Sequence, residues 1–295
     1  MDDAIYFGTN NGLFIYQNGK VSFVNGTEGQ VYSIQEVRGK VILNHHNGTF
    51  LIENNRAVQI SSVQGAWILR QHPVQTDYFI QGTYTGLSLF RWQNGSLSFV
   101  RKIKGLEESS RVMEFDGTTL WVAHGYKGVF KLRLSEDLTE VVESSLYNSA
   151  QGFPNNDLIN VYRVNNRLLF TANGGFYGYN LEEDRFNPLP EFNDLFGYGT
   201  VMADLESDEL GNIYFIEQSR LGVIKPQKNH QMSLSYSSFN KVKRLWNDDL
   251  ANVIVLDNQN ILIGGKQGFI HYNPALDLPS SDEPKAFFKQ IRNQG

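Results

Sequence analysis

One phrase recurs along the chain: an apolar strand, a short polar turn, a glycine, and a second apolar strand. Ile5-Tyr-Phe-Gly-Thr-Asn-Asn-Gly12-Leu-Phe-Ile-Tyr16 is one copy, and Ile261-Leu-Ile-Gly-Gly-Lys-Gln-Gly268-Phe-Ile-His-Tyr272 is the last. The marking glycines stand at 12, 48, 86, 128, 175, 222 and 268, so successive gaps are 36, 38, 42, 47, 47 and 46 residues. A strand of about 5–6 residues plus its turn takes roughly 10, so each gap holds four strands. Seven such units predict an all-β chain: a seven-bladed β-propeller of four-stranded antiparallel blades.

The remaining strands of each unit fit this reading. Before the phrase come inner strands such as Val31–Glu36, Arg111–Phe115, Ile159–Val164 and Asn252–Leu256. After it come more polar, alternating strands such as Val21–Val24, Leu97–Val100 and Met232–Tyr236, which suit an outer edge with one face in water. We label the four strands A to D, from inner to outer. The glycine serves the tight B–C hairpin, which requires φ > 0. No stretch reads as a long amphipathic helix; Glu191–Phe196 has room for a short turn at most. The first unit lacks an A strand before Ile5 and the last lacks a D strand, so the ring is expected to borrow a terminal strand or carry a weakened seam. Domain bounds follow: the propeller over 1–278, then a linker and one possible strand of a next domain over 279–295. The abrupt start reads as a piece of a longer protein.

Composition narrows the function classes. Lys plus Arg number 26 against 31 Asp plus Glu, a net charge of −5. That balance gives no footprint for nucleic acid. The chain has no cysteine, which removes disulfides and thiolate chemistry. No apolar run approaches the ~20 residues of a membrane span. Serine elbows and phosphate-cradling loops are missing. His45 and His46 are neighbours on a strand, so they point to opposite faces and do not converge on a metal. The carboxylates Glu107, Glu108, Glu182, Glu183, Asp184, Asp204, Glu206 and Asp208 lie in loops and strand ends of different units, unlike the paired carboxyls of a glycosidase. We therefore expect no catalytic residues, no metal and no cofactor.

B–C turns and D–A connections share one rim of a propeller. That rim collects aromatic and basic residues: Tyr84, Tyr126, Lys127, Arg220, Lys266 and Gln267 from the turns, and Trp67, Arg111 and Tyr198 near A-strand starts. Aromatics beside arginine suit a small polar ligand such as a sugar, or a protein partner. Candidate ligand-binding residues are Trp67, Tyr84, Arg111, Tyr126, Tyr198 and Arg220.

Several stretches resemble a known repeat. They are Gln151-Gly-Phe-Pro-Asn155-Asn-Asp157, Asp208-Glu-Leu-Gly211-Asn-Ile-Tyr-Phe-Ile216, Asp116-Gly-Thr-Thr-Leu-Trp-Val122 and Gly8-Thr-Asn-Asn-Gly12-Leu-Phe14. Together, across roughly Ile5 to Pro274, the chain is similar to the two-component regulator propeller. Two copies depart from the pattern: Thr49 follows Gly48, and Ser219-Arg220-Leu221 lengthens the sixth turn. The resemblance implies an extracytoplasmic, periplasmic sensor module of a membrane-anchored bacterial regulator of transcription. It implies oligosaccharide sensing, neighbouring domains in the same chain and a possible homodimer, and it likens the tail Glu283–Asn293 to the entry of a triple-tyrosine β-sandwich. The alternatives are a scaffold or dimerisation propeller without its own ligand, and a propeller enzyme of the lyase or glycosidase kind.

Overall fold

The computed structural model describes residues 4–276 apart from 198, 218–219, 229–230, 243–244, 246–251 and 267. Alternating apolar positions and tight turns build seven antiparallel sheets from consecutive strands, a seven-bladed β-propeller. Blade 1 holds β1 (Ala4–Thr9), β2 (Gly12–Gln17) and β3 (Lys20–Phe23). Blade 2 holds β4 (Val31–Val37), β5 (Lys40–His45), β6 (Gly48–Glu53) and β7 (Arg56–Ser61). Blade 3 holds β8 (Ile68–Gln71), β9 (Tyr78–Thr83), β10 (Gly86–Gln93) and β11 (Ser96–Ile103). Blade 4 holds β12 (Val112–Asp116), β13 (Thr119–His124), β14 (Gly128–Leu134) and β15 (Val141–Tyr147). Blade 5 holds β16 (Asn160–Val164), β17 (Arg167–Ala172), β18 (Gly175–Asn180) and β19 (Arg185–Pro188). Blade 6 holds β20 (Met202–Ser207), β21 (Ile213–Glu217), β22 (Arg220–Pro226) and β23 (Met232–Ser235). Blade 7 holds β24 (Val253–Asp257), β25 (Asn260–Gly265) and β26 (Gly268–Tyr272). Among the described residues, blade 1 has B, C and D strands and blade 7 has A, B and C. The expected linker and strand over 279–295 lie outside the described residues.

The chain divides into two compact units, 1–202 and 203–295. In the first, apolar faces of successive blades pack against each other. Ile80, Leu87 and Leu89 of blade 3 meet Met113, Leu120, Val122 and Leu132 of blade 4. Trp121 and Tyr147 of blade 4 join Phe170 and Phe186 of blade 5. In the second unit, Tyr214, Ile216 and Val223 of blade 6 pack with Val253, Ile261 and Ile263 of blade 7. Middle strands are covered on both faces, as in β6, whereas the outer strand β15 is largely exposed. This is the burial expected of a strand flanked by sheet on both sides against one at an edge.

Inner strands carry another kind of contact. The free edge of an A strand leaves backbone N–H and C=O groups in need of partners. In blade 2, the Gln35 amide supplies both: Leu69 N–H donates to Gln35 Oε1 at 2.7 Å, and Gln35 Nε2 donates to Leu69 O at 3.0 Å. Between blades 3, 4 and 5, Glu114 accepts from Arg70 and faces Arg163 at 3.8 Å. In the second unit, Val253 N–H donates to Asp204 Oδ2 at 2.8 Å. Asp204 keeps some surface exposure as a residue, but its carboxyl is walled in by protein, and that desolvation pushes its pKa up to about 6.

Two expectations change. Six of the seven repeat glycines adopt φ > 0, but Gly222 does not. It pairs with Phe215 inside the sheet, and the hairpin falls between Glu217 and Arg220. Arg220 and Leu221, expected to lengthen the sixth turn, are instead the first residues of β22 and pair with Glu217 and Ile216. A Cβ at Gly222 would lie 2.3 Å from Phe215 Cζ, so this glycine makes room for a ring. The short turn expected near Glu191 is a helix, α1 (Pro190–Phe196), started by proline at its first turn and fixed by Phe192 beneath Phe176.

Candidate functional site

The B–C hairpins of blades 2 and 3 have two-residue loops, His46-Asn47 and Tyr84-Thr85. The residue before each loop caps it. Thr83 Oγ1 accepts Thr85 N–H at 3.3 Å, as Thr9 Oγ1 accepts Asn11 N–H at 3.1 Å. His45 fills that position in blade 2 and accepts Asn47 N–H on Nδ1 at 2.9 Å. His124 does the same in blade 4 for Tyr126 N–H at 3.2 Å. Both rings stand in for threonine as hairpin caps. Burial holds the pKa of each below the ordinary histidine value. His45 is buried while His46 is exposed, the opposite facing that adjacent strand-end residues impose.

Those loops aim aromatic groups at one place. Tyr84 from the blade 3 loop meets His46 from the blade 2 loop, with Oη to Nδ1 at 2.8 Å. Tyr32, near the start of β4, shares a short hydrogen bond with Tyr84 through the two hydroxyls. Its hydroxyl also lies 3.3 Å from Gln30 Oε1. Trp67, just before β8, lies on Tyr32 with ring centroids 4.1 Å apart, and its ring edge meets Tyr84 at 5.5 Å. Arg111, just before β12, places its guanidinium 5.4 Å from the Trp67 ring centre. Thus three blades contribute to one aromatic patch with a cation on it.

The patch is held from beneath. Trp67 N–H donates to Gly82 O at 2.9 Å, and its carbonyl accepts from Ser33 Oγ at 2.6 Å. Ser33 in turn accepts from Asn44 Nδ2 at 2.9 Å, and Asn44 Oδ1 accepts from Gln81 Nε2 at 2.8 Å. Asn44 and Gln81 are fully buried, so this chain of amides is a fixed support. Gly65 provides clearance: with φ +71°, a Cβ there would lie 2.1 Å from Tyr84 Cγ.

Electrostatically, the patch is rich in donors. When His46 is neutral with its proton on Nε2, Tyr84 donates to Nδ1 and Tyr32 donates to Tyr84. Burial and the Tyr84 hydroxyl hold the Tyr32 phenol well above its ordinary pKa, with Arg111 opposing, so the hydroxyl stays protonated. Trp67 Nε1–H is buried without an acceptor. Arg111 is exposed and, among the described residues, has no carboxylate partner.

Of the residues expected from sequence, Trp67, Tyr84 and Arg111 come together here. Tyr126 is 79% exposed and touches His124 at 6.4 Å, outside the patch contacts. Arg220 belongs to the second unit, where it pairs with Glu217 at 2.7 Å and lies 4.4 Å over Tyr236. Tyr198 lies outside the described residues. Sequence reasoning missed Tyr32, His46 and Gly65. Tyr32 reads as an ordinary strand aromatic, His46 was weighed only as a metal ligand, and Gly65 matters only through the ring above it.

A second aromatic cluster lies between blades 4 and 5. The Trp121 ring meets Tyr179 at 4.9 Å, Phe170 at 5.1 Å, and Tyr147 and Phe186 at 5.6 Å each. Tyr147 Oη donates to Asp184 Oδ1 at 2.6 Å, and Tyr179 donates to the same oxygen. Lys131 Nζ donates to Tyr179 Oη at 2.7 Å and sits 4.4 Å from that ring centre. Burial, then Asp184, raises the Tyr147 phenol, while the two phenols hold the Asp184 carboxyl below its usual range.

No family model matches the chain, and no curated protein matches it. Solved structures do. One is the extracellular domain of the putative hybrid two component system BT3049 from B. thetaiotaomicron, with TM-score 0.66 and 15% identity over 99% of this chain. Another is the extracellular domain of the putative hybrid two component system BT4673 from the same organism, with TM-score 0.62 and 15% identity over 92% of this chain. The chain spans only 42% and 37% of those two domains. YCF48 bound to D1 peptide is similar in fold as well, with TM-score 0.63 and 10% identity, covering 95% of this chain and 90% of that one. The likeness is one of fold, and it includes the class of protein that the repeat phrasing resembles.

Proposed function

We propose that this chain is a non-catalytic sensor module of a bacterial signal-transduction regulator, placed outside the cytoplasm, that takes a small polar ligand on the blade 2–4 rim. An oligosaccharide is the favoured class. The observation that carries this reading is the patch of Tyr32, His46, Trp67, Tyr84 and Arg111, exposed at one edge and braced beneath by buried amides. Planar aromatic edges, hydroxyls and a guanidinium together suit a ring bearing many oxygens. The fold-level likeness to extracellular domains of putative hybrid two component systems supports the same context.

The carboxylates that a hydrolase would use support a non-catalytic reading too. Glu114 is taken up by Arg70 and Arg163, Glu217 by Arg220 and Tyr236, and Asp184 by two phenols. Asp208 accepts N–H groups of Leu210 and Asn212 in its own turn. Neighbouring domains of the parent chain would receive the signal, and a homodimer would be the relay. Titration calorimetry with a panel of neutral and acidic trisaccharides tests the proposal. Binding to the wild type, with loss in Trp67→Ala, is expected. A panel in which nothing binds refutes it.

A further inference from the structure

We infer that the ligand of this rim carries a negative charge, a carboxylate or a sulfate ester on a sugar ring, and that Arg111 reads it. The inference rests on the rim being a ligand site. It starts from which groups of the patch lack partners. Two do, and both are donors: the Trp67 Nε1–H, sealed in protein beyond the reach of a ligand, and the Arg111 guanidinium, which is exposed and is therefore the one a ligand can meet. The tyrosine hydroxyls and His46 already satisfy one another. A ligand that completes the patch must bring acceptors.

Charge decides which acceptors. The acidic residues nearest in sequence are engaged elsewhere, Glu108 with Lys127 at 2.7 Å and His124 at 3.5 Å, and Glu114 with Arg70 and Arg163. Other arginines with carboxylates in reach use them, as in Arg70–Glu114 and Arg220–Glu217. Arg111 is held instead by a ring, 5.4 Å from the Trp67 centre. Such packing fixes the guanidinium plane and leaves its N–H edge open, which matches the paired oxygens of a carboxylate or sulfate. Its charge reaches Tyr32, where it opposes the rise in the phenol's pKa that burial and the Tyr84 hydroxyl cause. An anion beside Arg111 would be paired without displacing any internal partner, whereas a neutral ligand would leave the cation uncompensated.

Matched neutral and uronate trisaccharides of galacto, gluco and manno configuration, galactose 6-sulfate and inorganic sulfate are the probes, titrated into wild type, Arg111→Gln and Arg111→Lys. At least one acidic sugar should bind tenfold or more tighter than its neutral match. Arg111→Gln should erase that difference, Arg111→Lys should keep part of it, and added salt should shrink it. The uronates and the sulfate ester tell the two anion sources apart. If neutral and acidic sugars bind equally, and equally to Arg111→Gln, the charge inference falls while the ligand site stands. If inorganic sulfate competes as well as the sugars do, the inference also falls, because any small anion then suffices. If no sugar binds, both readings fall. Thermal unfolding of the variants controls for folding.

Discussion

The two aromatic clusters of the first unit use nearly the same side chains. Each has a tryptophan, two tyrosines and a cation packed on a ring. They differ in one group. Between blades 4 and 5, the Asp184 carboxylate accepts from both phenols, and Lys131 donates to the second of them. Both phenols, the carboxylate and the ammonium have partners in one another, and Phe186 seals the rings. In the blade 2–4 patch no carboxylate accepts from the phenols, which turn to an imidazole, and the cation faces solvent. The same chemistry is a lock where it is internally neutralised; where it is not, it is the ligand site we propose.

The largest effect that would break this comparison is on stability. Trp121→Ala should cost about 3–5 kcal/mol, because its ring is fully buried among four others. Trp67→Ala, on a half-buried ring, should cost about 1–2 kcal/mol and should instead abolish ligand binding. Urea unfolding of the pair measures the first contrast; equal losses would mean that the rim patch is also a structural core. Next, Gly65→Ala should destabilise by about 1 kcal/mol, since its φ disfavours a side chain. It should weaken sugar binding more than stability, by pushing Tyr84 aside, which calorimetry beside thermal melts would show.

Acid should reach the two regions at different pH. The pKa values of His45 and His124 are lowered by burial, so below about 6.5 the unfolded chain binds more protons than the folded one. Stability therefore falls as pH drops from about 6.5 through the folded values. The Asp184 carboxyl is lowered too, by its two phenol donors: its contribution is full above about 3.9 and is lost as pH falls through its lower folded value. The rim hairpins should loosen first and the blade 4–5 lock last. Hydrogen exchange of the Asn47 and Tyr126 amides at pH 7 and pH 5 checks this; protection unchanged at both would be evidence against the caps. The smallest effect is expected at Arg133–Glu143, an exposed pair on blade 4. Arg133→Ala should leave the melting midpoint where it was.

Much of the architecture was legible because a hairpin is local. Strand, turn and glycine fall within a dozen residues, so seven copies were visible as a period. Gly222 shows the limit. The spacing placed it in a turn, but pairing with Phe215 draws it into the sheet, and what it spares is a ring on the facing strand. Trp67, Tyr84 and Arg111 could be found because loops on one rim must converge. Tyr32 could not, since a strand aromatic looks the same whether its ring faces a core or a rim. Arg220 illustrates the converse: its partner Glu217 is near in sequence, but the Tyr236 ring that completes its pocket arrives from the outer strand region. Local pattern reports the frame, while the partners that turn a residue into lock or site come from elsewhere in the chain.

Titration of the same neutral and acidic trisaccharides into wild type, Trp67→Ala and Tyr179→Phe tests the difference between lock and site most directly. Wild type and Tyr179→Phe should bind alike, and Trp67→Ala should not bind. Equal loss in the two variants, or undiminished binding by Trp67→Ala, would contradict the assignment of the rim patch as the ligand site.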